Sequence, residues 1–241
     1  MHINKNIHGW IFIDKPVGWS SFDVVKFIRG ILNVKIGHCG TLDPFASGLL
    51  VLALGHTTKS VDRIMKLYKR YTFTVEWGIE TDTLDISGKI IRRKSLVPSG
   101  DAVTSALSQF QGFIDQKPPQ YSAIKINGIR SYKYARKGLN VFLASRRVQV
   151  LDLKNIKNKE NFSTFEVTCS KGFYVRSLAR DISEALGTCC YVKDLRRHLY
   201  GYPYVSKMVS LTRVKDSLQK KENCDYLYDN ILPQDLIFQS I

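Results

Sequence analysis

Asp43 stands in the segment "IGHCGTLDPFASGLL" (residues 36–50). Three glycines, His38, Cys39 and an Asp-Pro step are crowded there, directly before the apolar run "LLVLAL". A carboxylate becomes a useful nucleophile or acid when a rigid loop presents it. Asp-Pro alone favours a type I turn, with the aspartate bonding nearby amides. That structural reading leaves Gly37, Gly40 and Gly48 unexplained. Such glycines let the backbone fold tightly and let something bulky approach. Neither GxxxxGK[ST] nor GxGxxG occurs, so the loop carries no phosphate or dinucleotide signature. No second His or paired Cys sits at ligand spacing, so no metal is expected.

The elements on either side must hold this loop. "GWIFIDK" predicts a short strand stopped at Lys15-Pro16. Ser20 and Ser21 can then cap a helix, "SFDVVKFIRGIL". The apolar run ending at Gly55 has the bounds of a buried strand. "TTKSVDRIMKLYK" resumes helical spacing. Tyr71, Phe73, Val75 and Trp77 alternate in "RYTFTVEWG", a strand with one aromatic face. "TDTLDISG" predicts a polar turn, "KIIRR" a short strand, and "DAVTSALSQFQG" an amphipathic helix ending at glycine. "KPPQYSAIKINGIRSYKYARKG" predicts a strand, a turn and a short basic helix. "RRVQVLDLKNI" and "FSTFEVTCS" predict an antiparallel pair around a polar Lys/Asn loop. "FYVRSLARDISEALG" reads as a helix with a glycine stop, and a last helix is expected near Leu211–Lys220. Adjoining strands that outnumber the helices favour an α+β fold with a mixed or largely antiparallel sheet.

The 241 residues suit one large domain, with no repeat or linker apparent. No apolar run approaches the ~20 residues needed to span a bilayer, and "MHINKNIHGWIF" lacks a signal-peptide core. Five cysteines without a CxxC pair predict buried, reduced thiols and a cytoplasmic protein. Thirty-six Lys+Arg against 21 Asp+Glu leave a net charge of +15. Such an excess draws polyanions and releases their counterions on contact, so nucleic acid is the leading partner. No amphipathic Lys/Arg helix with a bulky apolar face argues for a membrane surface.

Five blocks in order resemble the bacterial tRNA pseudouridine-55 synthases, the TruB family of pseudouridine synthases. "GHCGTLDPFASGLLVLALGHTTK" is preceded by "KPVGWSS" and followed by "KRYTFTVEWGIETDTLDISG", "PPQYSAIKINGIRSYKYAR", "CSKGFYVRSLARDI" and "LRRHLYG". "DPFASGLL" is similar to the stand-alone bacterial form, which implies no guide RNA or protein partner. The resemblance implies a pseudouridine synthase catalytic fold, with a central mixed, largely antiparallel sheet flanked by helices. It also implies isomerisation of uridine 55 in the tRNA T loop, without metal or cofactor.

By that resemblance Asp43 is the nucleophile, attacking C1′ of the ribose or C6 of the base; the residues do not choose between them. Arg176 matches the arginine that pairs with the carboxylate and keeps it ionised. Tyr71 matches the tyrosine against the flipped uracil, a candidate for proton transfer. Tyr174 and Leu195 map to further contacts around that base, and His38 to the residue that supports the loop as bases flip. Lys15 is expected to brace the loop. Asp85 can orient Arg176, bond RNA or cap its turn. Lys125 and Arg130, in a basic and aromatic segment, are expected on the T-arm backbone, contributing salt-dependent affinity.

Two departures stand out. Cys39 replaces a residue that is often Thr or Ala, with little effect expected. The 44 residues after Arg197 predict a helix and an acidic-leaning tail, where bacterial members usually carry a small PUA-like domain. A single catalytic domain over 1–241 without the PUA-like domain is therefore expected, and a monomer, since no exposed heptad or extra apolar segment suggests otherwise. Two other functions fit the scaffold: a non-catalytic RNA-binding or RNA-folding protein, and a synthase acting on ribosomal RNA. Binding alone needs no ionised aspartate facing an anionic backbone, which favours the enzyme.

Overall fold

In a computed structural model of the protein, residues 7–200, 208–222 and 224–233 are described. The elements run β1 (Gly9–Lys15), α1 (Ser21–Leu32), β2 (Ile36–His38), β3 (Ser47–Leu54), α2 (Val61–Met65), β4 (Lys69–Trp77), β5 (Ile79–Thr81), β6 (Ile90–Arg93) and α3 (Gly100–Ala106). Next come β7 (Gly112–Gln116), β8 (Lys125–Ile126), β9 (Ile129–Arg130), α4 (Ser131–Ala135), β10 (Arg146–Lys159), β11 (Phe162–Cys169) and α5 (Val175–Ala185). The chain closes with β12 (Cys190–Tyr200), β13 (Val209–Ser210), α6 (Leu211–Gln219) and α7 (Asp225–Asp229). The class is α+β. The last eight residues, and Gly201 of the "LRRHLYG" block, lie outside the described residues.

The chain forms two compact units, 1–70 with 196–241, and 71–195. In the first, β1 pairs antiparallel with β3 and parallel with β13. The other edge of β3 takes β2 at Leu52–Leu54, antiparallel, and the Arg196–Arg197 end of β12 at Ser47–Gly48, parallel. Period-2 geometry divides the apolar runs between two cores. Ile11, Ile13, Leu50, Leu52 and Leu54 pack with Val24, Ile28 and Leu32 of α1 and with Leu211, Val214 and Leu227. Trp10, Phe12, Leu49, Val51 and Ala53 turn the opposite way, onto Cys39 and Ile64. Both faces of these strands are therefore covered, which explains why "LLVLAL" shows no polar alternation.

Helix α1 starts where the serines allow. Ser20 is the N-cap, its hydroxyl accepting from the Asp23 amide while Asp23 reaches back to the Ser20 amide. Asn33 ends the helix in the left-handed region at φ 47°.

In the second unit β12, β4, β11, β10 and β7 lie side by side in that order. Phe73 and Phe165 stack with ring centroids 5.0 Å apart, and Trp77 meets Phe165 edge-on. Leu178, Ala179 and Ile182 bury one face of α5.

The expected Lys/Asn loop is instead strand. β10 runs through it to Lys159, opposite Phe162, leaving only Glu160 and Asn161 to turn the chain. Two register shifts in β10 obscure its alternation in the sequence. β2, β5, β7 and β12 were also not foreseen. In β12 the buried positions run Cys190 and Val192, then Leu195 and Arg197, so the period breaks and one buried side chain is charged. All five cysteines are buried free thiols. No described helix is long and apolar enough to cross a membrane.

Candidate active site

In the first unit the loop from Cys39 to Ala46 is held peptide by peptide. The Cys39 amide donates to Val51 O at 2.9 Å. Arg197, 1% exposed, donates to Gly40 O at 3.1 Å and to Leu49 O at 2.8 Å. The Ala46 amide closes a turn onto Asp43 O at 3.1 Å, with Pro44 at its second position, as the Asp-Pro step predicts. Pro44 O accepts from the Gly18 amide at 2.8 Å. Gly48 sits at φ +97°, and a Cβ there would lie 2.3 Å from Arg197 O, so only glycine admits this approach of β12. Asp43 itself is half-buried, and His38, half-buried too, ends β2 opposite Leu52.

Lys15 is fully buried. Its ammonium donates to Trp19 O at 2.7 Å, Pro16 O at 2.9 Å and Pro44 O at 3.5 Å, tying the β1–α1 turn to the loop. Burial lowers its pKa from the usual 10.5 to about 8; the Asp43 carboxylate opposes that shift and Arg197 adds to it. Between those two pH values the unfolded chain holds more protons at this site than the native one. Raising pH through the window therefore favours the folded state. Relative to Lys15→Met, the wild-type protein should gain up to ~3 kcal/mol of stability from pH 8 to 10.5. Urea denaturation of both proteins across that range checks it; a constant difference would refute the assignment.

Cys39 is also buried, packing with Trp10 and Leu49, and burial pushes its thiol up to about 12. It is packing material here, and no thiolate forms near neutral pH.

In the second unit Arg176 is 4% exposed and anchored from three sides. Its guanidinium donates to Asp85 Oδ2 at 3.1 Å, Thr83 O at 2.9 Å and Tyr121 O at 3.0 Å. Asp85, 3% exposed, accepts on its other oxygen from the Thr83 hydroxyl and from the amide and hydroxyl of Ser87. Of the three uses expected for Asp85, orienting Arg176 and capping the turn are the contacts made. An almost closed carboxylate offers RNA no surface.

The α5 N-terminus is fixed by Gln116, whose side-chain amide accepts from Tyr174 N at 2.7 Å and donates to Tyr174 O at 3.0 Å. Gln116 is 1% exposed. The Tyr174 ring is half-buried. Tyr71, half-buried in β4, and Leu195, buried in β12, are the first and last residues of this unit. Lys125 and Arg130 face each other across the β8–β9 hairpin, both exposed. The hairpin turns on Asn127 (φ 48°) and Gly128 (φ 80°), the Asn-Gly pair such tight turns demand.

The first unit thus gathers Lys15, His38 and Asp43. The second gathers Asp85, Tyr174 and Arg176, with Tyr71 and Leu195 at its boundaries. Sequence reasoning missed Ser21, Gln116 and Arg197 as supports. The available signal for Ser21 and Arg197 was a polar residue inside a quoted block, "KPVGWSS" and "LRRHLYG"; Gln116 stands in none.

Two family models cover most of the chain. The TruB family pseudouridylate synthase N-terminal domain matches residues 29–175, and the tRNA pseudouridylate synthase B C-terminal domain matches residues 176–239. This chain belongs to the TruB family. The models meet at Val175/Arg176, inside α5, whereas the compact units divide at Leu195/Arg196. The TruB relative "tRNA pseudouridine synthase B" of Ehrlichia chaffeensis is 42% identical over 92% of this chain and 76% of its own. That of Bradyrhizobium diazoefficiens is 41% identical over 98% and 70%. Among solved structures, a chain of a Cbf5-Nop10-Gar1 complex superposes with a TM-score of 0.71 at 28% identity, over 95% of this chain and 61% of that one. A chain of an H/ACA RNP bound to a substrate RNA containing 2′-deoxyuridine gives 0.69 at 25% identity, over 95% and 60%. This TruB chain therefore spans about three-fifths of those two chains, and its fold is that of pseudouridine synthases.

Proposed function

We propose that this chain converts uridine 55 of the tRNA T loop to pseudouridine, with Asp43 as nucleophile. One observation carries the reading: Asp43 sits on a loop fixed on both sides by buried donors, within a chain whose relatives are named tRNA pseudouridine synthase B. The isomerisation breaks N1–C1′ and forms C5–C1′; N1 gains a proton and C5 loses one to solvent. The Asp43 carboxylate attacks and later leaves, dividing one difficult step into two. By the family resemblance Arg176, whose guanidinium Asp85 orients, is the residue assigned to keep the nucleophile ionised.

The target base must leave the stack, which costs a few kcal/mol that protein contacts offset. Tyr71, Tyr174 and Leu195 receive the base. His38 supports the vacated position, and Lys15 braces the loop from behind. Recognition rests on the shape of the folded T loop and its splayed bases. The protein works as a cytoplasmic monomer on the T arm, without guide RNA.

The test is release of tritium to solvent from transcribed tRNA labelled at uracil C5. Stoichiometric release, lost when uridine 55 is replaced, supports the reading; tRNA binding without release leaves a binding protein. Release from ribosomal RNA alone would move the substrate.

Lys125 and Arg130 contribute affinity through phosphate charge. Replacing both with Ala should weaken tRNA binding and lower the slope of log K against log salt by about 1.4–1.8. A salt titration by filter binding measures it, and an unchanged slope would remove the hairpin from the interface.

A further inference from the structure

The block "KPVGWSS" contains two adjacent serines, and the structure gives them separate work. Ser20 caps α1. Ser21, 2% exposed, points the other way and bonds Leu42 twice: its hydroxyl accepts from the Leu42 amide at 2.8 Å and donates to Leu42 O at 3.0 Å. The amide belongs to the peptide plane before Leu42, the carbonyl to the plane between Leu42 and Asp43. One oxygen therefore sets both planes. The plane after Asp43 is set by the Ala46 amide on Asp43 O. With the planes on either side fixed, the direction of the Asp43 Cα–Cβ bond is fixed too.

Resting on the proposed role of Asp43, we infer that Ser21 is the positioning residue of the nucleophile, acting through the Leu42 peptide. The chemistry is specific to a hydroxyl. Leu42 is 3% exposed, so neither of its polar groups has water to turn to. A single small side chain that donates and accepts at once must be Ser or Thr. Alanine leaves both groups unsatisfied, and cysteine fills the space with a weak, longer-reaching donor. Displacement of a reacting group by about 1 Å can cost on the order of 100-fold in rate.

The experiment compares Ser21→Ala, Ser21→Cys, Ser21→Thr and Ser20→Ala in single-turnover tritium release, with KM, thermal midpoint and amide exchange at Leu42. Ser21→Ala and Ser21→Cys should lower kcat by about 10- to 100-fold with KM within roughly threefold, and should speed exchange at Leu42. Ser21→Thr should restore kcat to within about fivefold. Ser20→Ala should lower the thermal midpoint through the lost cap yet leave kcat and Leu42 exchange near wild type. If Ser21→Ala does not fold, Ser21→Cys decides. Wild-type kcat in a folded Ser21→Ala or Ser21→Cys overturns the inference. So does an equal kcat loss in Ser20→Ala, which would make helix stability the cause. A wild-type protein that releases no tritium would refute the function itself, while the exchange comparison still reports on the clamp.

Discussion

Asp43→Asn is expected to abolish tritium release, by on the order of 10⁴-fold or more, while tRNA binding persists. Asparagine matches aspartate in shape and is equally at home in the first position of a turn. The Ala46 amide bonds the Asp43 backbone carbonyl, which the substitution leaves in place. The loop should therefore keep its path, and the thermal midpoint should shift little. What disappears is the anion. An amide oxygen at neutral charge does not attack C1′ or C6, and it has no leaving-group chemistry to complete the second half of the reaction. Single-turnover release and filter binding on the same preparation test this. Release within tenfold of wild type would end the nucleophile assignment.

Asp85→Ala should have the largest effect on stability, about 3–5 kcal/mol. Arg176 and Asp85 are each 4% exposed at the side chain, so both are largely removed from water. Removing one partner leaves a buried charge without its counter-charge, the situation in which a buried ion pair matters most. Asp85 also accepts from Thr83 and Ser87, and those donors would lose their acceptor together. Asp85→Asn should be milder, because its carbonyl oxygen retains part of that bonding. Urea denaturation measures both variants. A loss under about 1 kcal/mol in Asp85→Ala would mean that Arg176 is held by its carbonyl contacts alone. Activity should fall with stability, since an arginine free to rotate no longer presents its charge in one direction.

Much of this was readable before any coordinates. The capped helix α1, the strand at "GWIFIDK" and the alternating face of Tyr71, Phe73, Val75 and Trp77 announce themselves, because caps and periods are local properties. Strand β12 is different: its buried set changes phase between Val192 and Leu195 and includes Arg197, so no simple period marks it. The Lys/Asn tract of β10 looked like a loop because side-chain polarity reports exposure, and an exposed stretch of strand is polar as well. The hairpin between Lys125 and Arg130 was visible only as "a turn", although Asn127-Gly128 names its type.

The sequence by itself determined the family, the candidate carboxylate and the basic character, because each rests on residue identity and on short-range spacing. Only the tertiary structure decided how that carboxylate is held. Lys15, Ser21 and Arg197 stand 29, 21 and 157 residues from the loop positions they bond, and their partners there are backbone carbonyls and amides, which no sequence pattern distinguishes. The same holds for Asp85: its composition allowed three uses, and burial against Arg176 left two.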